Sequence, residues 1–99
     1  KKNFKYDGSQ LEMNQDSYKE FKIWDKELNR VYKLLYKGVS AKQKKVLKKK
    51  QIRWIKKKEK EAAKEAAQWA GGSGQPLARN MVLITETKKR LRWLIRIYA

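Results

Sequence analysis

With no His and no Cys among its 99 residues, this chain leaves any chemistry to ten Asp and Glu, 27 Lys and Arg, and a few hydroxyls. Zinc sites of the usual ligand type, disulfides, thiol nucleophiles and His-based acid–base catalysis are excluded. Most carboxylates stand at helical spacing from lysines, such as Glu61 with Lys57 or Lys58 and Glu65 with Lys60 or Lys64. That spacing suits surface pairing better than proton transfer. Asp25 falls beside an apolar stripe, yet no second acid or base accompanies it in sequence, so a catalytic role is the minority reading. The residue types point to binding rather than an enzyme, with no metal and no cofactor expected.

The strongest binding signal is cationic. Between Lys37 and Lys60 stand twelve Lys or Arg and one acid, Glu59, within a net charge of +17. Lys42, Lys45, Lys49, Arg53, Lys56 and Lys57 are the candidate anionic-surface residues. Two readings stand side by side: a solvated helix face, or a surface for nucleic acid, a wall polymer, an envelope or membrane surface, or an acidic protein. Lysines spread around a helix suit phosphate contacts without base readout. Arg53 is the one arginine in the run, so sequence-specific recognition by bidentate forks is not expected.

Three elements must carry these residues. Ser40 with Gln43 is a capping-box signature, and about thirty residues then pass without Gly or Pro before Gly71-Gly72. Leu47, Trp54, Ile55, Ala62, Ala66 and Trp69 recur at helical spacing there, with Gln51 and Lys58 on the same stripe. Upstream, Ser9 with Glu12 starts an earlier helix whose stripe runs through Leu11, Tyr18, Phe21, Leu28, Tyr32 and Leu35, widened by Trp24 and Val31. Asp25 and Asn29 fall close to that face and are expected to link helices, with Lys58 or Gln51 as partners. Downstream of Pro76, Leu77, Met81, Ile84, Leu91, Ile95 and Tyr98 form a third seam, broadened by Leu83, Leu94 and Ile97. Trp93 lies off that seam and is expected to be exposed. The arginines around it suit either a snorkelling core helix or an anionic membrane surface.

The expected architecture is all-α: an antiparallel three-helix bundle with two long helices and a C-terminal third, over about 10–37, 41–70 and 77–98. Residues 1–8 read as a flexible lead-in and 9–99 as one helical domain. No apolar run approaches a membrane span, no signal peptide is visible, and whether one preceded Lys1 stays open. Oligomeric state is not legible. Gly71, Gly72, Ser73, Gly74, Gln75 and Pro76 form a small-residue turn.

Particular strings then resemble a known family. Asp25-Lys26-Glu27-Leu28-Asn29-Arg30-Val31-Tyr32 is similar to the A-D-x-x-L-N-x-x-Y signature of the LprI-like lysozyme inhibitors, small secreted or periplasmic bacterial proteins. Leu47, Gln51, Trp54 and Ile55 resemble the family's L-x-x-x-Q-x-x-W-I helix, and Lys58-Glu59 stands where Arg-Asp is usual. Gly71-Gly72-Ser73 with Pro76-Leu77 resembles its Gly-Gly-Ser turn, and Thr87 with Arg90 its T-x-x-R helix. The likeness covers about residues 10–94. It implies a non-enzymatic secreted or periplasmic binding protein whose partner is a lysozyme-like glycosidase. It also brings a functional reading of the loop: Trp69, Gly71, Gly72, Ser73 and Gln75 entering a concave target, against the plain reading of a structural turn. The resemblance places the family's common cysteines at Asp16, Ala62 and Val82 here, so core packing by Trp24 and Trp69 is expected to compensate. A +17 chain would also meet like-charge repulsion from cationic lysozymes. The alternative function is a cationic module that binds anionic polymers non-specifically.

Overall fold

The computed structural model describes the backbone of residues 3–98 and the side chains of residues 10–98. Three helices follow in order: α1 over Asn3–Gly38, α2 over Ala41–Ala67 and α3 over Gln75–Tyr98. No strand occurs among the described residues. Successive helices run antiparallel, which places α1 and α3 parallel. The bundle is long and thin, with extents of 59 × 22 × 15 Å.

Capping chemistry explains the second helix start. Ser40 is extended, and its hydroxyl accepts a hydrogen bond from the Gln43 amide at 3.2 Å. The first boundary departs from expectation. Helix α1 begins at Asn3, so residues 3–8 of the anticipated lead-in are helical and the Ser9 start is not used; residues 1 and 2 lie outside the described residues. Neither Gly8 nor Ser9 compels a break, because a single Gly costs a helix only about 1 kcal/mol. At the other end, α2 closes at Ala67 and not at residue 70. The chain tightens there into successive i→i+3 turns, Gln68 to Glu65, Trp69 to Ala66 and Ala70 to Ala67. Helix α3 begins at Gln75, two residues before the expected start, with the Ala78 amide bonded to the Gly74 carbonyl at 3.0 Å.

Helix α3 packs against both other helices, whereas α1 and α2 meet chiefly through side chains. The core therefore centres on α3: Leu83, Thr87 and Leu94 are fully buried, and Leu91 and Leu94 cluster with Leu28 from α1 and Leu47 from α2. Thr87 satisfies its hydroxyl on the Leu83 carbonyl at 2.6 Å, one turn back. Small Ala62 and Ala66 continue the α2 seam. Several expected seam residues lie outside. Leu11, Tyr18, Ile55, Met81, Ile95 and Ile97 are all more than 40 % exposed, because a bundle only 15 Å deep gives each helix a narrow buried strip. Trp69 is also exposed, so of the two tryptophans expected to compensate for a missing disulfide, only Trp24 packs on the core. Trp93 reverses the opposite way: it packs half-buried against that cluster, edge-on to Tyr98 at 5.8 Å.

Candidate functional site

The loop between α2 and α3 is built by backbone chemistry that few side chains permit. Gly71 takes φ +82°, the left-handed region that favours glycine. At Gly72 a Cβ would meet the Trp69 carbonyl oxygen at 3.2 Å, and the Gly72 amide donates to that same oxygen at 2.9 Å. Asn14 of α1 then holds the loop from outside, its Nδ2 donating to the Ser73 carbonyl at 2.9 Å. Asn14 Oδ1 accepts from Gln10 at 2.9 Å. One turn further, Asn80 of α3 is buried and donates to the Asn14 carbonyl at 3.2 Å and to Ser17 Oγ at 3.0 Å. This polar clamp joins α1, α3 and the loop, and nothing in the sequence reading singled it out. Ser17 and Asn80 sit at inward positions of otherwise apolar stripes, which is the signal that could have found them.

Beside the clamped loop lies an open groove of about 540 Å³ between Trp69, Leu77, Ala78, Met81 and Val82, reached also by Gln10, Gly74, Thr85, Glu65 and Glu86. Trp69 is 54 % exposed and Met81 49 %, so the groove presents a wide aromatic and a flexible thioether to solvent. A second hollow of about 500 Å³ flanks the other side of the loop, lined by Gln10, Leu11, Asn14, Gly72, Ser73, Gln75 and Pro76. The five loop residues singled out from the sequence thus come together at one end of the bundle, with Gly71, Gly72 and Ser73 exposed and Gln75 half-buried.

The charge is not spread evenly over the rod. The end formed by 23–57 and 88–98 carries 18 Lys and Arg against Asp25 and Glu27 alone. At the loop end, 10–22 with 58–87 carry six Lys and Arg against seven acids, and residues 1–9 of the sequence add Lys1, Lys2 and Lys5 against Asp7. Antiparallel folding produces this division, because the lysine-rich first half of α2 lies beside the basic last turns of α3. The six anionic-surface candidates Lys42, Lys45, Lys49, Arg53, Lys56 and Lys57 are all exposed at the cationic end. The groove lies at the balanced end, and its lining holds two glutamates and no cation.

The expected polar links between α1 and α2 need correction. Asn29 is exposed and makes no side-chain hydrogen bond among the described residues, because Leu28 takes the inward position. Asp25 is half-buried and forms no ion pair among the described residues. Gln51 is buried and turns instead to α3, its Oε1 accepting from Arg90 Nε at 2.9 Å. Lys58, 5 % exposed, lies over two rings, Trp54 at 4.7 Å and Phe21 at 5.3 Å. Burial lowers its pKa, and the nearby Asp25 and Glu59 carboxylates only partly oppose that. The ion pairs that do form, such as Arg79 with Glu59 at 2.9 Å and Lys88 with Glu20 at 3.8 Å, are exposed and contribute little. None is among the lysine pairings expected from spacing along α2.

The four strings noted in the sequence now have places: one on α1, one on α2, one in the clamped loop, one on α3 around Thr87 and Arg90. A family model described as lysozyme inhibitor LprI matches residues 2–94. The chain belongs to the LprI family. No curated protein and no solved structure matches it. It lacks cysteine, and the three positions that the resemblance matched to cysteines differ in character. Asp16 is exposed, Ala62 is fully buried on α2, and Val82 is half-buried on the groove wall. Ala62 spends its position on close helix packing.

Proposed function

We propose that this LprI-family protein is a secreted or periplasmic, non-enzymatic inhibitor that docks its loop end on a lysozyme-like, wall-degrading enzyme. The observation that carries the reading is the coincidence, at the charge-balanced end, of an exposed Trp69, an apolar groove and a loop clamped by Asn14. Interface anchors are typically Trp seated among well-packed neighbours, and preorganised loops lose less entropy on binding. The segregation of charge lessens the objection from the +17 total, since a cationic enzyme approaching the groove meets Glu65 and Glu86 in its lining. Trp69 and Met81 supply the apolar contact, Gly71, Gly72, Ser73 and Gln75 enter the target's cleft, and Glu65 and Glu86 select for a basic rim.

The test is inhibition of a lysozyme by the wild type and by Trp69→Ala, with circular dichroism to show the fold is kept. An anchor costs about 2 kcal/mol or more on truncation, so inhibition should weaken at least about 30-fold. Full inhibition by Trp69→Ala and by a Ser73→Ala/Gln75→Ala variant would remove the loop end from the interface.

A second reading is favoured by the cationic end: that it holds an anionic polymer or envelope surface without sequence preference. It requires affinity that falls steeply with salt, through counterion release.

A further inference from the structure

At the cationic end, α2 and α3 flank a small open hollow of about 260 Å³ lined by Lys50, Arg53, Trp54, Lys57 and Arg90. Four cations and an aromatic wall line it, and no carboxylate does. Arg90 comes from α3 and is held in place on three sides. Its Nε donates to Gln51 Oε1 at 2.9 Å, its guanidinium carbon lies 4.0 Å from the Trp93 ring centre, and Trp54 lies at 5.6 Å. Lys50 approaches the other rim of Trp93 at 5.7 Å. One guanidinium nitrogen, Arg90 Nη2, is buried and has no hydrogen-bond partner among the described residues. A buried charged donor without an acceptor costs more than the 1–3 kcal/mol of a neutral one, and such groups are rare in folded proteins. Arg90 is thus a half-buried, fixed cation among the exposed Lys50, Arg53 and Lys57.

We propose that this hollow is a binding site for a phosphate group. A tetrahedral oxyanion has several acceptor oxygens, enough for the guanidinium of Arg90 and for Arg53, Lys50 and Lys57 together. The arginine forks match it in geometry and the lysines act as point charges. The volume admits one such group with water beside it. The site deepens the second reading above, from diffuse attraction to one discrete position, and is independent of the inhibitor reading. Only Arg53 and Lys57 belong to the surface set read from the sequence; Arg90 and Lys50 are recruited by the fold.

Inorganic phosphate is the probe, titrated into isotope-labelled wild type while the indole N–H resonances of Trp54 and Trp93 are followed by NMR. Two triple variants remove equal charge: Lys50→Gln/Arg53→Gln/Lys57→Gln inside the hollow, and Lys42→Gln/Lys45→Gln/Lys49→Gln outside it. All six side chains are exposed, so both variants should fold. The site requires one saturable event that moves the Trp54 and Trp93 signals. The inner variant should weaken it at least tenfold and the outer variant less than threefold. Glycerophosphoglycerol, the soluble headgroup of an anionic lipid, is titrated alongside: tighter binding than phosphate identifies a phosphodiester source, weaker binding a free phosphate, and both support the site. Equal weakening by the two variants would overturn the site and leave the diffuse reading standing. Shifts that never saturate, or no shift at all, would overturn it too.

Discussion

Lys58 is the residue whose replacement most directly tests how the bundle tolerates its charge. It is 5 % exposed, pairs with no carboxylate among the described residues, and is compensated by the faces of Trp54 and Phe21. Each ring returns roughly 0.5–2 kcal/mol, while removing an ammonium from water costs several kcal/mol after relaxation. Lys58→Met keeps the aliphatic stem and removes the charge. It should therefore stabilise the protein by about 1–2 kcal/mol, raising Tm by about 5–10 °C for a domain of this size. The pH dependence has a definite sign. Burial depresses the folded-state pKa of Lys58 below its ordinary 10.5, so the unfolded chain binds that proton more tightly. The deficit is present in full at neutral pH and is relieved as pH climbs from the folded pKa towards 10.5. Wild type should gain stability over that window, and Lys58→Met should lose that part of the gain. Urea unfolding at pH 7 and pH 10 measures both effects. A variant less stable than wild type by about 1 kcal/mol, with the pH gain intact, would show that the rings and Asp25 outweigh desolvation.

Three further perturbations follow from named contacts. Leu94→Ala removes a side chain with no exposure and should cost about 2–5 kcal/mol in urea unfolding, a large share of the stability of so thin a bundle. Gln51→Leu deprives Arg90 Nε of its acceptor and should cost about 1–3 kcal/mol, whereas an unchanged midpoint would mean that water replaces Gln51. Asn14→Ala frees the Ser73 carbonyl and should cost about 0.5–1.5 kcal/mol. It should also speed hydrogen exchange at the amides of residues 72–75 and leave those of 91–98 unchanged.

The three helices were legible because their stripes are regular and because Ser40, Gly71 and Pro76 punctuate the chain. What could not be read is how narrow each buried strip becomes. Periodicity places Trp69 on the α2 seam, but the seam ends at Ala66, where the backbone tightens into i→i+3 turns and rotates the indole outward to the groove. Asn29 lies beside the α1 stripe in sequence and is exposed, since Leu28 fills the space. The central place of α3 was equally hidden, as amphipathicity says which face is buried and not which neighbour buries it. Arg90, one of the arginines that suited either snorkelling from a core helix or a membrane surface, is fixed between Trp54 and Trp93. The loop residues, by contrast, needed only local chemistry: glycines where the backbone demands them, with a Trp at the edge. The charge division was present in the sequence all along. It emerges only when antiparallel helices set residues 41–57 beside 88–98.

The central claim is that the loop end binds a lysozyme-like enzyme while the cationic end stays out of the interface. The most direct measurement is binding of the protein to an immobilised cationic lysozyme at low salt and at about 0.3 M salt, where screening shortens well below 10 Å. One-to-one binding that survives the salt, and is lost in Trp69→Ala, is the predicted result. No binding at either salt, or binding abolished by salt and indifferent to Trp69, would contradict it.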